Sequence, residues 1–172
     1  MRYYARLKFI LQQLKKKVPS KYLQVRDLAV IRKKGWHMEK YLNGELDGIN
    51  YDSGNMHYKK TLKNSSLVII TVNSTTFLET LNSNYPTLIC FPVDAAVYNA
   101  HALALINKLE KAKIFHRNPV SLAKHVERIW PNVSEWWFSN KTQNAVKNYC
   151  NFYSRPVEDK VTKLKKIINH YL

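Results

Sequence analysis

Two periods of apolar spacing alternate along the chain, and the switches between them set out its elements. Leu7, Ile10, Leu11 and Leu14 recur at helical spacing, which predicts a helix over residues 3–17 with a basic opposite face, ended by Val18-Pro19-Ser20. Short apolar runs predict strands at residues 22–25, 49–51, 67–72, 87–91 and 114–116. Helical spacing returns before Leu42, over 56–63, from Phe77 to Leu81 and over 101–112. Asn118-Pro119 opens a helix that ends at Ile129-Trp130; residues 131–137 follow, then helices over 141–153 and 157–172 separated by Arg155-Pro156. Asn43-Gly44 and Asp47-Gly48 read as turns. Strands alternating with helices mean an α/β chain. The expected fold is a single Rossmann-like domain over residues 1–172: a doubly wound parallel sheet of about five strands flanked by helices, with extra C-terminal helices.

The unit at residues 67–91 organises the rest. Its first strand stops abruptly at Asn73-Ser74-Thr75-Thr76, a helix takes up Phe77-Leu78-Glu79-Thr80-Leu81, and Asn84-Tyr85-Pro86 leads into the next strand. In parallel α/β sheets, ligands gather beyond the carboxyl ends of the strands, where helix N-termini present free N–H groups and a partial positive charge. Asn73, Ser74, Thr75 and Thr76 would add amide and hydroxyl donors there, which suits a phosphate. Glu79, one turn into the helix, would accept both hydroxyls of a ribose. Thr76-Phe77-Leu78-Glu79 is equally a capping box, in which Thr76 and Glu79 each cap the other's N–H. The two readings are compatible.

The formal charge of +16, with pI near 9.8, would steer any anionic partner: nucleic acid, acidic lipid or a nucleotide. Residues 1–64 hold fifteen Lys/Arg against five acids and the remainder thirteen against seven. Short clusters such as Lys15-Lys16-Lys17 and Arg32-Lys33-Lys34 lie on or beside helices, where a solvated face is the default. The aromatics do not interleave with the basic clusters as stacking platforms do, so nucleic acid is not expected. The basic first helix could instead lie on anionic lipid. No apolar run approaches the eighteen or so residues of a membrane span, and the first ten residues lack the continuous apolar segment of a signal peptide. Cys90 and Cys150 read as buried, reduced thiols, and no Cys/His spacing suggests zinc. The expected place is the cytoplasm, with peripheral contact at the inner face of the cell membrane.

Other polar residues fall where strands end. Arg26 is a candidate phosphate or sugar ligand, or one half of an ion pair. Asp52, in Asp52-Ser53-Gly54, would hold a base or sugar hydroxyl, or cap the helix that follows. Asp94, after Pro92-Val93, would contact a sugar or an acceptor, or make a turn. Trp36 reads as packing, and His37 and His101 as exposed or first-turn imidazoles.

Residues 73–81 together with Asn84-Tyr85-Pro86-Thr87 resemble the nucleotide-sugar motif in the C-terminal lobe of GT-B glycosyltransferases. There a small or hydroxyl-rich turn precedes a Glu-bearing helix and then a Gly-x-Pro or equivalent. More narrowly, residues 21–156 resemble the C-terminal part of a family of transferases from bacterial surface-polysaccharide clusters of the O-antigen type. Arg26, Gly35-Trp36, Asp52, residues 73–81, Pro86, Ile129-Trp130, Glu135-Trp136-Trp137, Tyr149-Cys150 and Phe152-Tyr153 carry that match. The resemblance implies that a nucleoside-diphosphate sugar is the donor substrate, with no cofactor and no metal. Its diphosphate would meet the 73–76 turn and Arg26, and its ribose Glu79. It also implies that acceptor recognition and any general base belong to an N-terminal lobe, so that these residues are expected to be a fragment, a truncated gene product or half of an enzyme whose N-terminal lobe is on a separate chain. The Trp136-Trp137 pair would close the lobe. Asn84-Tyr85 departs from the family, which has a small residue and Gly there, and Asn55 follows Asp52-Ser53-Gly54 where an acidic or polar residue is usual.

Overall fold

The computed structural model describes residues 2–27, 35, 37–55, 57–93, 98–154 and 159–171. Trp36, Met56, Asp94 and the Arg155-Pro156 break lie outside the described residues. In chain order come α1 (Arg2–Lys15), β1 (Gln24–Arg26), α2 (Met38–Leu42), β2 (Asn50–Asp52), α3 (Tyr58–Lys63), β3 (Val68–Ile70), α4 (Thr75–Asn82) and β4 (Thr87–Ile89). After them come α5 (Ala100–Lys111), α6 (Pro119–Ile129), α7 (Val133–Trp137), α8 (Asn140–Tyr153) and α9 (Lys160–Tyr171).

β3 and β4 pair in parallel, Ile69 opposite Leu88, and side-chain alternation divides their residues between two cores. Leu67, Ile69, Leu88 and Cys90 face α1 and α6, against Ile10, Leu14, Leu122 and Val126. Val68, Ile70, Ile89 and Phe91 face the other way, onto Phe77 and Leu81 of α4, Leu105 and Leu109 of α5 and Tyr149 of α8. Helices on both faces explain why this strand pair reads as continuous apolar runs.

β1 and β2 form a second parallel pair, Val25 opposite Tyr51. It packs by one face on Leu7 and Leu11 of α1 and on Met38 and Leu42 of α2. The stripe of α1 is therefore shared: Leu7 and Leu11 serve β1 and β2, while Ile10 and Leu14, on the adjoining flank, serve β3 and β4.

The expected continuous sheet of about five strands is not what the described residues form. They make two two-stranded parallel sheets, and the run at 114–116 contributes a single bridge, Phe115 to Ile89. Ile89 N–H donates to Ile114 at 2.8 Å and His116 N–H to Ile89 at 2.8 Å. Each strand is three residues long; β1, β2 and β3 bury one residue apiece, Val25, Asp52 and Ile70, whereas all three residues of β4 are buried. The buried stripe of α1 packs on both pairs.

Asn84 and Tyr85, the departure from the usual small residue and Gly, turn out to be a lock. Asn84 has φ +51°, a left-handed conformation that Asn tolerates. Its backbone and side-chain oxygens both accept from Trp137 Nε1–H at 3.0 Å. Tyr85 Oη–H is shared between the carbonyls of Leu62 and Ser65, so the same turn also holds the end of α3.

Two buried histidines make the fold acid-sensitive. His116 Nε2 bonds the Lys113 carbonyl at 3.0 Å, and the ring of His125 lies 5.4 Å from it, edge-on to Trp136. Arg128 donates to His125 Nδ1 at 3.0 Å, while His125 Nε2 is buried with no partner among the described residues. Burial first, then neighbouring positive charge, lowers His125 to about 3. Burial also lowers His116 to about 4, against the weaker opposing pull of the Lys113 carbonyl. Both folded-state values lie below the ordinary 6.5, so the unfolded chain binds these protons first. Stability is complete above about pH 6.5 and drains away as pH falls toward 4 and 3. Discounted for solvent screening, the loss by about pH 5 is roughly 2 kcal/mol. Urea midpoints across pH should show it, and His125→Phe, which removes the orphaned nitrogen and keeps the ring contact, should make the slope shallower. A slope unchanged in that variant would refute the assignment.

Candidate functional site

α4 begins at Thr75, two residues earlier than the Thr76–Glu79 capping box requires. Ser74 is the N-cap (φ −141°, ψ 166°), and its side chain makes no capping bond. Thr76 is thus the second helical residue rather than the cap, and Glu79 lies exposed further along the helix, so the reciprocal box does not form. Among the described residues, no side-chain hydrogen bond or ion pair engages Ser74, Thr75, Thr76 or Glu79. Thr75 is exposed, and Ser74 and Thr76 are half-buried. The first-turn N–H groups of α4 therefore open onto unengaged hydroxyls at the carboxyl end of β3.

Asn73 behaves differently. Its Nδ2 donates to Tyr98 Oη at 3.0 Å, and it borders an apolar cavity of about 30 Å³ walled by Phe77, Ile89, Phe91 and Tyr149. A space of that size holds a water or two and no ligand. Asn73 ties the elbow back to the body, while the hydroxyls of its three neighbours have no partner among the described residues.

At the end of the other strand pair, Arg26 and Asp52 meet. Arg26 Nη1 bonds Asp52 Oδ2 and donates to Thr61 Oγ1 at 3.0 Å; Thr61 in turn donates to Asp52 Oδ2 at 3.1 Å. Gly54 N–H donates to Asp52 Oδ1 at 2.9 Å. Asp52 does not cap α3. His57 does, its Nδ1 accepting from Lys59 N–H at 3.3 Å, because the chain runs several residues past Asp52 before turning helical. Asp52 is spent on Arg26 and on its own turn.

Residues overlooked in the sequence link these groups. Tyr58 of α3 has its phenol pushed up by burial first, raised further by the charge of Glu79 and lowered by that of Arg26. Its hydroxyl is buried without a partner among the described residues. Tyr58 and Thr61 are three apart on α3, one helical face, and that spacing was the available signal. Tyr51 Oη–H lies between Asp27 Oδ2 at 2.9 Å and Glu39 Oε2 at 2.7 Å; burial first, then those two carboxylates, holds it well above the usual phenol range. Asp27, 1 % exposed, follows Arg26 directly at the end of β1. Asp94 lies outside the described residues.

The arrangement thus offers unengaged hydroxyls and helix N–H groups after β3, a half-buried guanidinium held by a carboxylate at the end of β1, and an exposed carboxylate on α4. Such a set can bind a phosphorylated, hydroxyl-bearing molecule. No protein of curated function and no solved structure matches the chain. A family model does match, over residues 4–168, and by that measure the chain belongs to the LIC12162 family of transferases.

Proposed function

We propose that this lobe binds the nucleoside-diphosphate part of a sugar donor, for a glycosyltransferase that builds cell-surface polysaccharide. Membership of a transferase family supports the general class. The observation that carries the reading is the elbow at 74–76, whose hydroxyls are unengaged ahead of a helix with no side-chain cap. Helix N–H groups and the fixed charge of Arg26 would stabilise the diphosphate, in the ground state and as a leaving group. Glu79 would accept from the ribose hydroxyls. Acceptor binding and any general base would come from a further lobe, so the chain alone binds donor and transfers little sugar.

Calorimetry against UDP, GDP and CMP is the direct test. Ser74→Asp sharpens it. An N-cap aspartate stabilises α4 by about 1 kcal/mol yet sets a negative charge where the phosphates would sit. The variant should be at least as stable as the parent and bind the nucleotide about tenfold or more weakly. No heat from any of the three nucleotides, or equal binding by Ser74→Asp, would sink the proposal.

A further inference from the structure

The apolar stripe that the sequence shows on the basic first helix is spent on the core: Leu7, Ile10, Leu11 and Leu14 are all buried, at most 6 % exposed. The opposite holds for α9. Val161, Leu164 and Ile168 are 64 %, 58 % and 47 % exposed, and the spacing i, i+3, i+7 puts them on one stripe. Over its twelve residues, KVTKLKKIINHY, the helix carries four lysines and no acid, and the exposed Lys165 stands beside the stripe. Asp159 fixes the start, its Oδ1 accepting from Thr162 N–H at 3.1 Å.

We infer that α9 is an interfacial helix that seats this chain on an anionic lipid surface. Two properties have to be met at once: an apolar layer for Val161, Leu164 and Ile168, and negative charge alongside it for the lysines. A protein partner would need an apolar groove with an acidic rim matched to this helix. An anionic bilayer presents both everywhere, with acyl chains beneath a sheet of phosphates, and the stem of exposed Lys165 can reach past the stripe to the headgroups. The net charge of +16 draws the whole chain to the same surface. The helix lies in the plane of the surface and does not cross it; among the described residues no helix is long and apolar enough to span a membrane. This inference does not rest on the nucleotide reading.

Flotation of the full chain with lipid vesicles tests it. Binding is expected to phosphatidylcholine vesicles containing about one-third phosphatidylglycerol, and to weaken about tenfold or more between roughly 0.1 M and 0.5 M salt. Pure phosphatidylcholine should bind far less. Leu164→Glu with Ile168→Glu, at exposed positions, should leave the melting curve in place and abolish flotation. Failure of the parent chain to float with the anionic vesicles overturns the inference. So does undiminished flotation of the double variant, which would assign the binding to overall charge. So does a dimer in sedimentation that the double variant dissolves, which would give the stripe to a second copy.

Discussion

Trp137→Ala is expected to cost about 4 kcal/mol of folding stability, roughly a quarter or more of what a typical domain possesses. Trp137 is fully buried where α7 meets the core under α4 and α8. Truncation leaves a large cavity there. It also strips Asn84 of the N–H that both its oxygens share, in a turn already held at positive φ. Because Tyr85 in that turn anchors the end of α3, the loosening should spread toward the site. Trp137→Phe separates the parts: it keeps most of the volume and removes the N–H, for an expected loss of about 1–2 kcal/mol. Trp136→Ala should cost less than Trp137→Ala, since Trp136 is half-buried and its N–H bonds Ala112 at a longer 3.4 Å. Urea denaturation of the three variants gives the ranking. A loss under about 1 kcal/mol for Trp137→Ala would contradict the lock.

Arg26→Met is expected to cost about 3 kcal/mol, the second-largest effect. The Asp52 side chain is 8 % exposed, and removing its cation leaves the carboxylate, among the described residues, with only Thr61 and the Gly54 N–H. Arg26→Met combined with Asp52→Leu should recover most of the loss, because paired removal abolishes the stranded charge. The same pair of variants decides what Arg26 is for. Should the stable double variant bind UDP as well as the parent, the ion pair is architecture alone. A loss of about tenfold or more in affinity would place the guanidinium on the phosphates.

Most elements were legible because their signals are local. The 3.6-residue stripe of α1, the Asn118-Pro119 start of α6 and the apolar runs at β3 and β4 each follow from neighbouring residues. The elbow was legible too, as hydroxyls interrupting an apolar run. The capping box failed by two residues: Ser74 and Thr76 are both acceptable caps, and only the backbone angles at Ser74 choose between them. The partners of Asp52 were out of reach for another reason. A carboxylate before a helix is a cap by local rules; Arg26 lies 26 positions away and arrives beside it only because β1 and β2 pair in register.

By itself, the order of residues determined an α/β chain, the places of its helices and strand segments, the polar elbow after β3 and the excess of positive charge. These depend on side-chain spacing and backbone preference over a few positions. Tertiary structure alone decided that the strands form two pairs instead of one sheet, and that Arg26 closes on Asp52. It also decided that Asn84 grips Trp137, and that the leucine-rich stripe of α1 is buried while Val161, Leu164 and Ile168 of α9 face solvent. Each of those outcomes compares the burial of one distant surface with another, a choice that exists only once the whole chain competes for the same core.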